Sequence, residues 1–306
     1  MSGMIAVLTK ALAFIMIIVM GYVLKRKGFF HPNDFFLISK IVVKITLPCA
    51  IISNFSNIIM EKSLLFLCVL GIFCNVLTVG IGYLINLRGS GEEKAFDMIN
   101  LSGYNIGNFT LPFVQSFLGP VGFAATSLFD AGNAVMCTGI TYTLASIVKG
   151  TGEKTSLKSI LKSLLSSVPF DAYVVMTTLA VLEIPLPQVV VSFAGTVGAS
   201  NAFLALLMIG IGFEIRFEKH KIFRIVRLLS IRYGTALLLS LGAFYLLPFE
   251  LQIRQAMAIV AFGPVSSVAT AFTGKIGGDV EMSSAVNSLS IVISVITITL
   301  ILILIL

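Results

Sequence analysis

Charge is what this sequence has least of. Charged residues fill 11% of its 306 positions, against roughly 25% in soluble domains. Hydrophobic residues fill 57%, and the mean hydropathy is +1.03. A soluble class is excluded, and the chain reads as an integral membrane protein. Tryptophan is absent, and the two histidines, His31 and His220, fall in expected loops. Cys49, Cys68, Cys74 and Cys137 lie inside apolar stretches without metal-ligand spacing, which argues against a metal module or a secreted disulfide framework. They are expected to be small apolar packers. No His–Glu metalloprotease pair, nucleotide loop or serine-hydrolase elbow occurs. Nothing therefore supports an enzyme or an ATP-driven pump, and no cofactor or metal is expected. A net charge of +7 would suggest nucleic acid in a soluble chain; here its placement reports topology, and no nucleic-acid partner is expected.

What is present is ten apolar spans, at roughly 5–24, 35–55, 64–87, 97–118, 120–147, 168–184, 187–213, 228–247, 253–275 and 279–306. The first is not a signal peptide, because it lacks a basic leader and Lys25-Arg26-Lys27 stand where cleavage should occur. Fifteen basic residues occupy the odd-numbered connections: Lys25, Arg26, Lys27, Arg88, Lys94, Lys149, Lys154, Lys158, Lys162, Arg216, Lys219, Lys221, Arg224, Arg227 and Lys275. The even-numbered ones hold only Lys62 and Arg254. The excess puts the odd connections in the cytoplasm and both termini outside. A multi-pass chain of this kind fits a bacterial inner membrane. Thr155 to Leu165, with Leu157, Leu161, Leu164 and Leu165 beside Lys158 and Lys162, and the segment around Phe223 with Arg224 and Arg227, read as amphipathic helices on anionic headgroups.

One stretch breaks the apolar pattern. Asn105-Ile-Gly-Asn-Phe-Thr-Leu-Pro112 is a poor continuous helix, since proline lacks a backbone donor and glycine favours coil. In lipid a freed backbone group must find a partner, so a broken helix there implies a cavity or a bound ligand. A second interruption, Phe262-Gly-Pro-Val-Ser-Ser-Val268, lies in the ninth span. An offset of about 158 residues lays spans 1–5 on spans 6–10, aligning Asn105 with Gly263 and Gly119-Pro120 with Gly277-Gly278. With an odd number of spans per half, residues 1–150 and 151–306 form inverted five-helix repeats. Paired interrupted spans point to a secondary transporter's binding site. Each break leaves a helix N-terminus near the midplane, and two such ends make an anion site. Asn105 and Asn108 add side-chain donors, with Gly107 between them. Pro112 and Pro264 suit the first turns of the outgoing half-helices.

Asn105-x-Gly-Asn-x-x-x-Pro112, Gly119-Pro-x-Gly and Phe129-Asp-x-x-Asn133 resemble the auxin efflux carrier family, which includes plant carriers and bacterial permeases assigned to malonate or malate. Leu47-Pro48 and the Gly263-Pro264 stretch are similar to its other features. The resemblance covers the whole chain. It implies an all-α membrane protein of ten transmembrane helices in two inverted repeats, with helices 4 and 9 broken and crossing, as in sodium–proton antiporters and bile-acid symporters. It also implies a scaffold domain from helices 1, 2, 6 and 7, a transport domain from helices 3–5 and 8–10, a homodimer, and an organic-anion substrate. Lys40 and Lys44 make the second span more basic than the resemblance implies.

Asp130 lies about ten residues past the Pro120 link, roughly 15 Å at helical rise, where an ionised acid is costly and usually functional. It is the candidate for proton or sodium coupling, with Asn133 one turn on; a purely structural role in holding the break open stays open. The same offset pairs Asp130 with Ser288. Lys44, Pro48, Ser53, Asn287 and Ser288 are candidates for lining the cavity. Lys10 and Arg232 are expected to snorkel to an interface. The leading function is secondary transport of a small organic anion. A cation–proton antiporter and a membrane receptor on the same fold are alternatives. An intramembrane aspartyl protease would need Gly-x-Gly-Asp before Asp279, but Ile276 occupies the first position.

Overall fold

The computed structural model describes residues 2–31, 33–56, 58, 61–151, 156–214 and 219–306. Lys154, Thr155 and Arg216, named above, lie outside the described residues. The helices are α1 (Ser2–Arg26), α2 (Asp34–Ile41), α3 (Leu47–Phe55), α4 (Phe66–Leu84), α5 (Gly91–Leu101), α6 (Leu111–Val135), α7 (Thr141–Lys149), α8 (Leu157–Leu164), α9 (Val168–Val181), α10 (Gln188–Gly198), α11 (Asn201–Gly212), α12 (Ile222–Leu246), α13 (Leu251–Val260), α14 (Val268–Lys275) and α15 (Val280–Ile305). No β-strand forms among the described residues; one isolated bridge joins Tyr104 and Val265.

All ten apolar stretches contain helix. Six helical runs are long and apolar enough to cross a membrane, or seven if α8 and α9 count as one bent span. α12 carries Arg224, Arg227 and Arg232, and α5, α13 and α14 are half-length. The seventh stretch, expected to be continuous, is interrupted at Ala199–Ser200 between α10 and α11. There the buried Asn201 accepts a hydrogen bond from Thr46 Oγ1 at 2.9 Å.

Leu-Pro occurs twice after a five-residue π-helical turn. Val42–Thr46 precedes Leu47-Pro48, and Ile106–Thr110 precedes Leu111-Pro112. In each, the leucine N–H reaches five residues back, to Val42 O or Ile106 O. Proline has no N–H for the carbonyl one turn earlier, and its ring crowds that carbonyl. Widening the turn lets the helix pass the proline without ending. The two π-turns pack against each other. Gly119, with φ 62°, divides α6 into limbs 111–118 and 120–135; this left-handed backbone suits glycine, and Pro120 opens the second limb, at the expected link.

α1 packs along α11, α2 on α11, and α3 between α9 and α10. α4 packs along α5 and α6, α13 on α6 and α12, α5 on α7, and α14 on α15. Small residues set the closest approach: a Cβ on Gly132 would overlap the Cys68 carbonyl, and one on Gly71 the Phe129 carbonyl. Gly132→Leu is therefore expected to drive α4 from α6 and abolish the monodisperse peak in detergent size exclusion. An unchanged elution profile would show that this approach is dispensable.

α8 meets α9 at 77°. It buries Ile160 and Leu164 and leaves Leu157, Leu161 and Leu165 exposed beside Lys158 and Lys162. Leu164 is thus core rather than part of the headgroup face expected from spacing. Around Phe223 the phenyl ring is exposed as expected, with Ile222 and Val226, while the partly exposed Arg224 and Arg227 reach in to Asp97, at 3.5 and 3.2 Å. Asp97 is fully buried and also receives Asn86 Nδ2. Nearby, Lys149 Nζ donates to Ile276 O at 2.6 Å, and Lys221 pairs with Asp279 at 2.8 Å. Partial burial alone would raise the Asp279 pKa; bonds from Lys221 and the Met282 N–H outweigh it and hold the group below the ordinary carboxylate value. That contribution is present above the unfolded pKa and is lost as pH falls through the lower folded value. Lys221→Met should therefore lower thermal stability near neutrality but not in strong acid, as read by melting at two pH values.

Candidate functional site

The two interruptions meet. α5 ends at Leu101, residues 102–105 run extended, and helix resumes at Ile106. α13 ends at Val260, and helix resumes at Val268. The extended pieces lie antiparallel: Asn105 N–H donates to Pro264 O at 2.9 Å and Ser266 N–H to Gly103 O at 3.3 Å, flanking the Tyr104–Val265 bridge. The first break thus covers residues 102–105 and ends at Asn105 rather than running on to Pro112, which sits more than a turn inside the resumed helix. Pro264 belongs to the extended piece rather than to the first turn of α14. Gly103 has φ +72°, and a Cβ there would stand 2.9 Å from Ser266 Cβ. Gly103→Ala should separate the two chains at the bridge and cut any flux to background while the protein still inserts. Retained flux would show that the bridge tolerates separation.

Buried backbone that leaves the helix needs partners, each unsatisfied group costing several kcal/mol. Asn133 supplies two. Its Nδ2 donates to Tyr104 O at 2.8 Å, and its Oδ1 accepts Tyr104 N–H at 3.0 Å. Asn75 on α4 accepts Gly103 N–H at 2.8 Å and donates to Asn133 Oδ1 at 3.2 Å. On the other chain, Asn287 donates to Val265 O and Ser266 O, Ser290 accepts Val265 N–H, and Ser294 donates to Phe262 O. Arg232 joins both breaks. Its guanidinium donates to Leu101 O, to Gly103 O at 2.9 Å and to Gly263 O at 2.9 Å, and lies over the Tyr104 ring. Arg232 is 3% exposed, so it does not snorkel. It neutralises the negative ends of α5 and α13, which meet at this point.

A profile of the family described as Membrane transport protein matches residues 6–302. The chain belongs to this family, that of the auxin efflux carriers. A relative from Methanothermobacter thermautotrophicus, described as an uncharacterized transporter, is 22% identical over 297 residues, covering 94% of this chain and 95% of its own length. The transporter's remaining site residues divide around the crossing.

Asp130 lies beside the resumed helix. Tyr173 O–H on α9 donates to its Oδ2 at 2.9 Å, and Asn133 Nδ2 to its Oδ1 at 2.9 Å. A Cβ at Gly107 would stand 3.5 Å from Asp130 Oδ2 and 3.1 Å from Leu47. The carboxylate thus sits against the turn starting at Ile106, whose first N–H groups have no preceding helical carbonyl and carry partial positive charge. Asn108 Oδ1 is buried without a partner. Lys44 is exposed on the π-turn that packs against Ile106–Thr110, and Pro48 is buried at the start of α3.

Three expectations change. Ser53 faces Gly195 on α10, and Ser288 donates to Glu214 O at 2.7 Å; neither joins the crossing. By role, Asn133 pairs with Asn287, each bonding the bridge carbonyl from the following helix. That offset is about 154 residues, which matches Asp130 with Ser284 instead of Ser288. At the start of α14 a cavity of about 10 Å³, room for one water, is lined by Ser102, Cys137, Thr141 and Ser266. Asp279 caps α15 through Met282 N–H and is paired with Lys221, apart from Asp130; a shared-proton protease pair is absent among the described residues. Sequence reasoning missed Asn75, Tyr173, Arg232 and Asp97 as partners. Polar residues in apolar spans are the signal that could have found all four.

Proposed function

We propose that this transporter carries a small organic anion, a carboxylate such as malonate, malate or an auxin-like acid, by alternating access. The supporting observation is the antiparallel crossing of two interrupted helices beside one acid, with Arg232 neutralising the helix C-termini and leaving the N-terminal ends positive. In this reading ten helices cross the membrane as two inverted repeats. The ties among Asn86, Asp97, Arg224 and Arg227, Lys149 and Ile276, and Lys221 and Asp279 link the third connection to the seventh, the fifth to the ninth and the seventh to the ninth, which supports inversion. α1–α3 and α9–α11 form a scaffold, dimeric in the membrane, and α4–α7 with α12–α15 form the moving domain.

The substrate carboxylate takes the positive turn at Ile106–Asn108, with Asn105, Asn108 and Lys44 beside it and the Gly263-Pro264 break opposite. Asp130 competes for that turn. An ionised Asp130 repels the substrate, so anion and proton load together. The buried, unpartnered oxygen of Asn108 supports sodium as the other coupling ion. Counterflow in proteoliposomes with mono- and dicarboxylates, with and without proton and sodium gradients, tests this reading. Accumulation of a carboxylate driven by one gradient supports it; sodium-driven proton movement with no carboxylate flux would replace it with the antiporter.

A further inference from the structure

We infer that Tyr173 is a proton-controlled latch between the two bodies, an inference that rests on the two-domain reading above. Most side-chain hydrogen bonds stay inside one body. Thr46–Asn201 lies within one, and Asn75–Asn133, Asn100–Thr273 and Tyr233–Ser294 lie within the other. Those that cross include Lys10 to Ser116 O and Ser288 to Glu214 O, each ending on a carbonyl, and Tyr173–Asp130, from α9 to α6, the one of these that ends on a titratable group. Its surroundings are loosely filled: a cavity of about 290 Å³ lies along the seam, lined by Phe170, Tyr173, Leu128, Ala131 and Val135. Along α4 and α6, by contrast, backbones touch at Gly71 and Gly132. The α9–α6 seam is thus looser than the α4–α6 contact, although the bodies also pack elsewhere, through α1, α3 and α11, with Phe14 edge-on against Phe113 at 4.9 Å.

Its strength depends on the state of Asp130. An ionised carboxylate makes a hydrogen bond about twice as strong as a neutral one. A carboxyl proton on Asp130 weakens the pull on the Tyr173 hydroxyl without disturbing Asn133, which stays fixed by Tyr104. Ser127 on α6 also bonds the Tyr173 side chain, but Asp130 is its titratable partner. Asp130 faces Tyr173 from α9, Leu47 from α3 and Gly107 from the π-turn. From its own limb it faces Asn133, with the Cys137 thiol one turn on. From α4, Asn75 reaches Asn133 and not Asp130, and Cys68 lines the seam cavity. Arg232 is engaged by three carbonyls, and Lys44 lies exposed on the neighbouring π-turn. Tyr173 is thus a positioning residue: with Asp130 ionised it holds the bodies in register, and with Asp130 protonated it releases them. The consequence is that an unprotonated carrier is held still, which suppresses slip without substrate.

The test uses the full chain in lipid nanodiscs with its native cysteines replaced by alanine. Spin labels are placed through Val19→Cys on α1 and Val292→Cys on α15, which line one cavity across the same boundary. Distance distributions are recorded below and above neutrality. The expected result is a single distance in alkali and a second one appearing in acid. In Tyr173→Phe, which keeps the ring, the second population in alkali should rise about tenfold, the scale of one charge-assisted bond. In Asp130→Asn both distances should appear at both pH values. A Tyr173→Phe profile that follows pH as the parent does overturns the latch alone. A single fixed distance in every protein at every pH overturns the two-domain reading, and the latch with it.

Discussion

Arg232→Met is expected to remove most of the folded protein from the membrane fraction. The methionine side chain fills much of the same volume but leaves Leu101 O, Gly103 O and Gly263 O without their donors. Buried acceptors stripped of partners cost about 1–3 kcal/mol each, and three together approach the roughly 5–15 kcal/mol that keeps a domain folded. The loss is electrostatic as well, because the C-terminal ends of α5 and α13 then face each other with no cation between them. Arg232→Lys should recover only part of the stability, since a single ammonium on a flexible stem lacks the planar fork that reaches carbonyls on two chains. Melting followed by size exclusion reads the ranking: parent, then lysine, then methionine. A methionine variant that melts with the parent and keeps its flux would remove Arg232 from the crossing.

Asp130→Asn should separate coupling from movement. The amide has nearly the shape of the acid: its oxygen can still accept from Asn133 while its NH2 group donates to the Tyr173 hydroxyl oxygen, so the crossing stays built. It cannot take up and release a proton. Gradient-driven accumulation should be lost, because a side chain that no longer titrates cannot couple flux to the proton gradient, while exchange of substrate at equal concentrations continues. The sign with pH follows from competition for the turn at Ile106. In the parent, uptake declines as pH rises, because ionised Asp130 repels the anion and holds Tyr173; in the variant the profile is flat. If Asp130→Asn accumulates substrate like the parent, coupling lies elsewhere and Asp130 is structural.

Asn133 has more than the one role its spacing suggests. One turn from Asp130, it reads as a second coupling group. It does bond Asp130, and three further bonds go to Tyr104 and Asn75, so it is also a staple for the break. At Arg232 the sequence misleads: an arginine in an apolar span reads as a snorkelling cation, yet it is the residue that joins both interruptions.

Apolar length, proline and glycine act within a turn or two of themselves. They were enough to locate the helical stretches and the Gly119–Pro120 link, and to place the two interruptions to within a turn, but not the break at Ala199–Ser200. The choice of hydrogen-bond partner is different. Tyr104 and Val265 are held by side chains from α6 and α15, helped by α4 and α12, and two halves of the chain must fold before these polar groups meet. Their pairing follows from helix packing, so positions such as Asn75, Tyr173 and Arg232 carry no local mark of what they hold.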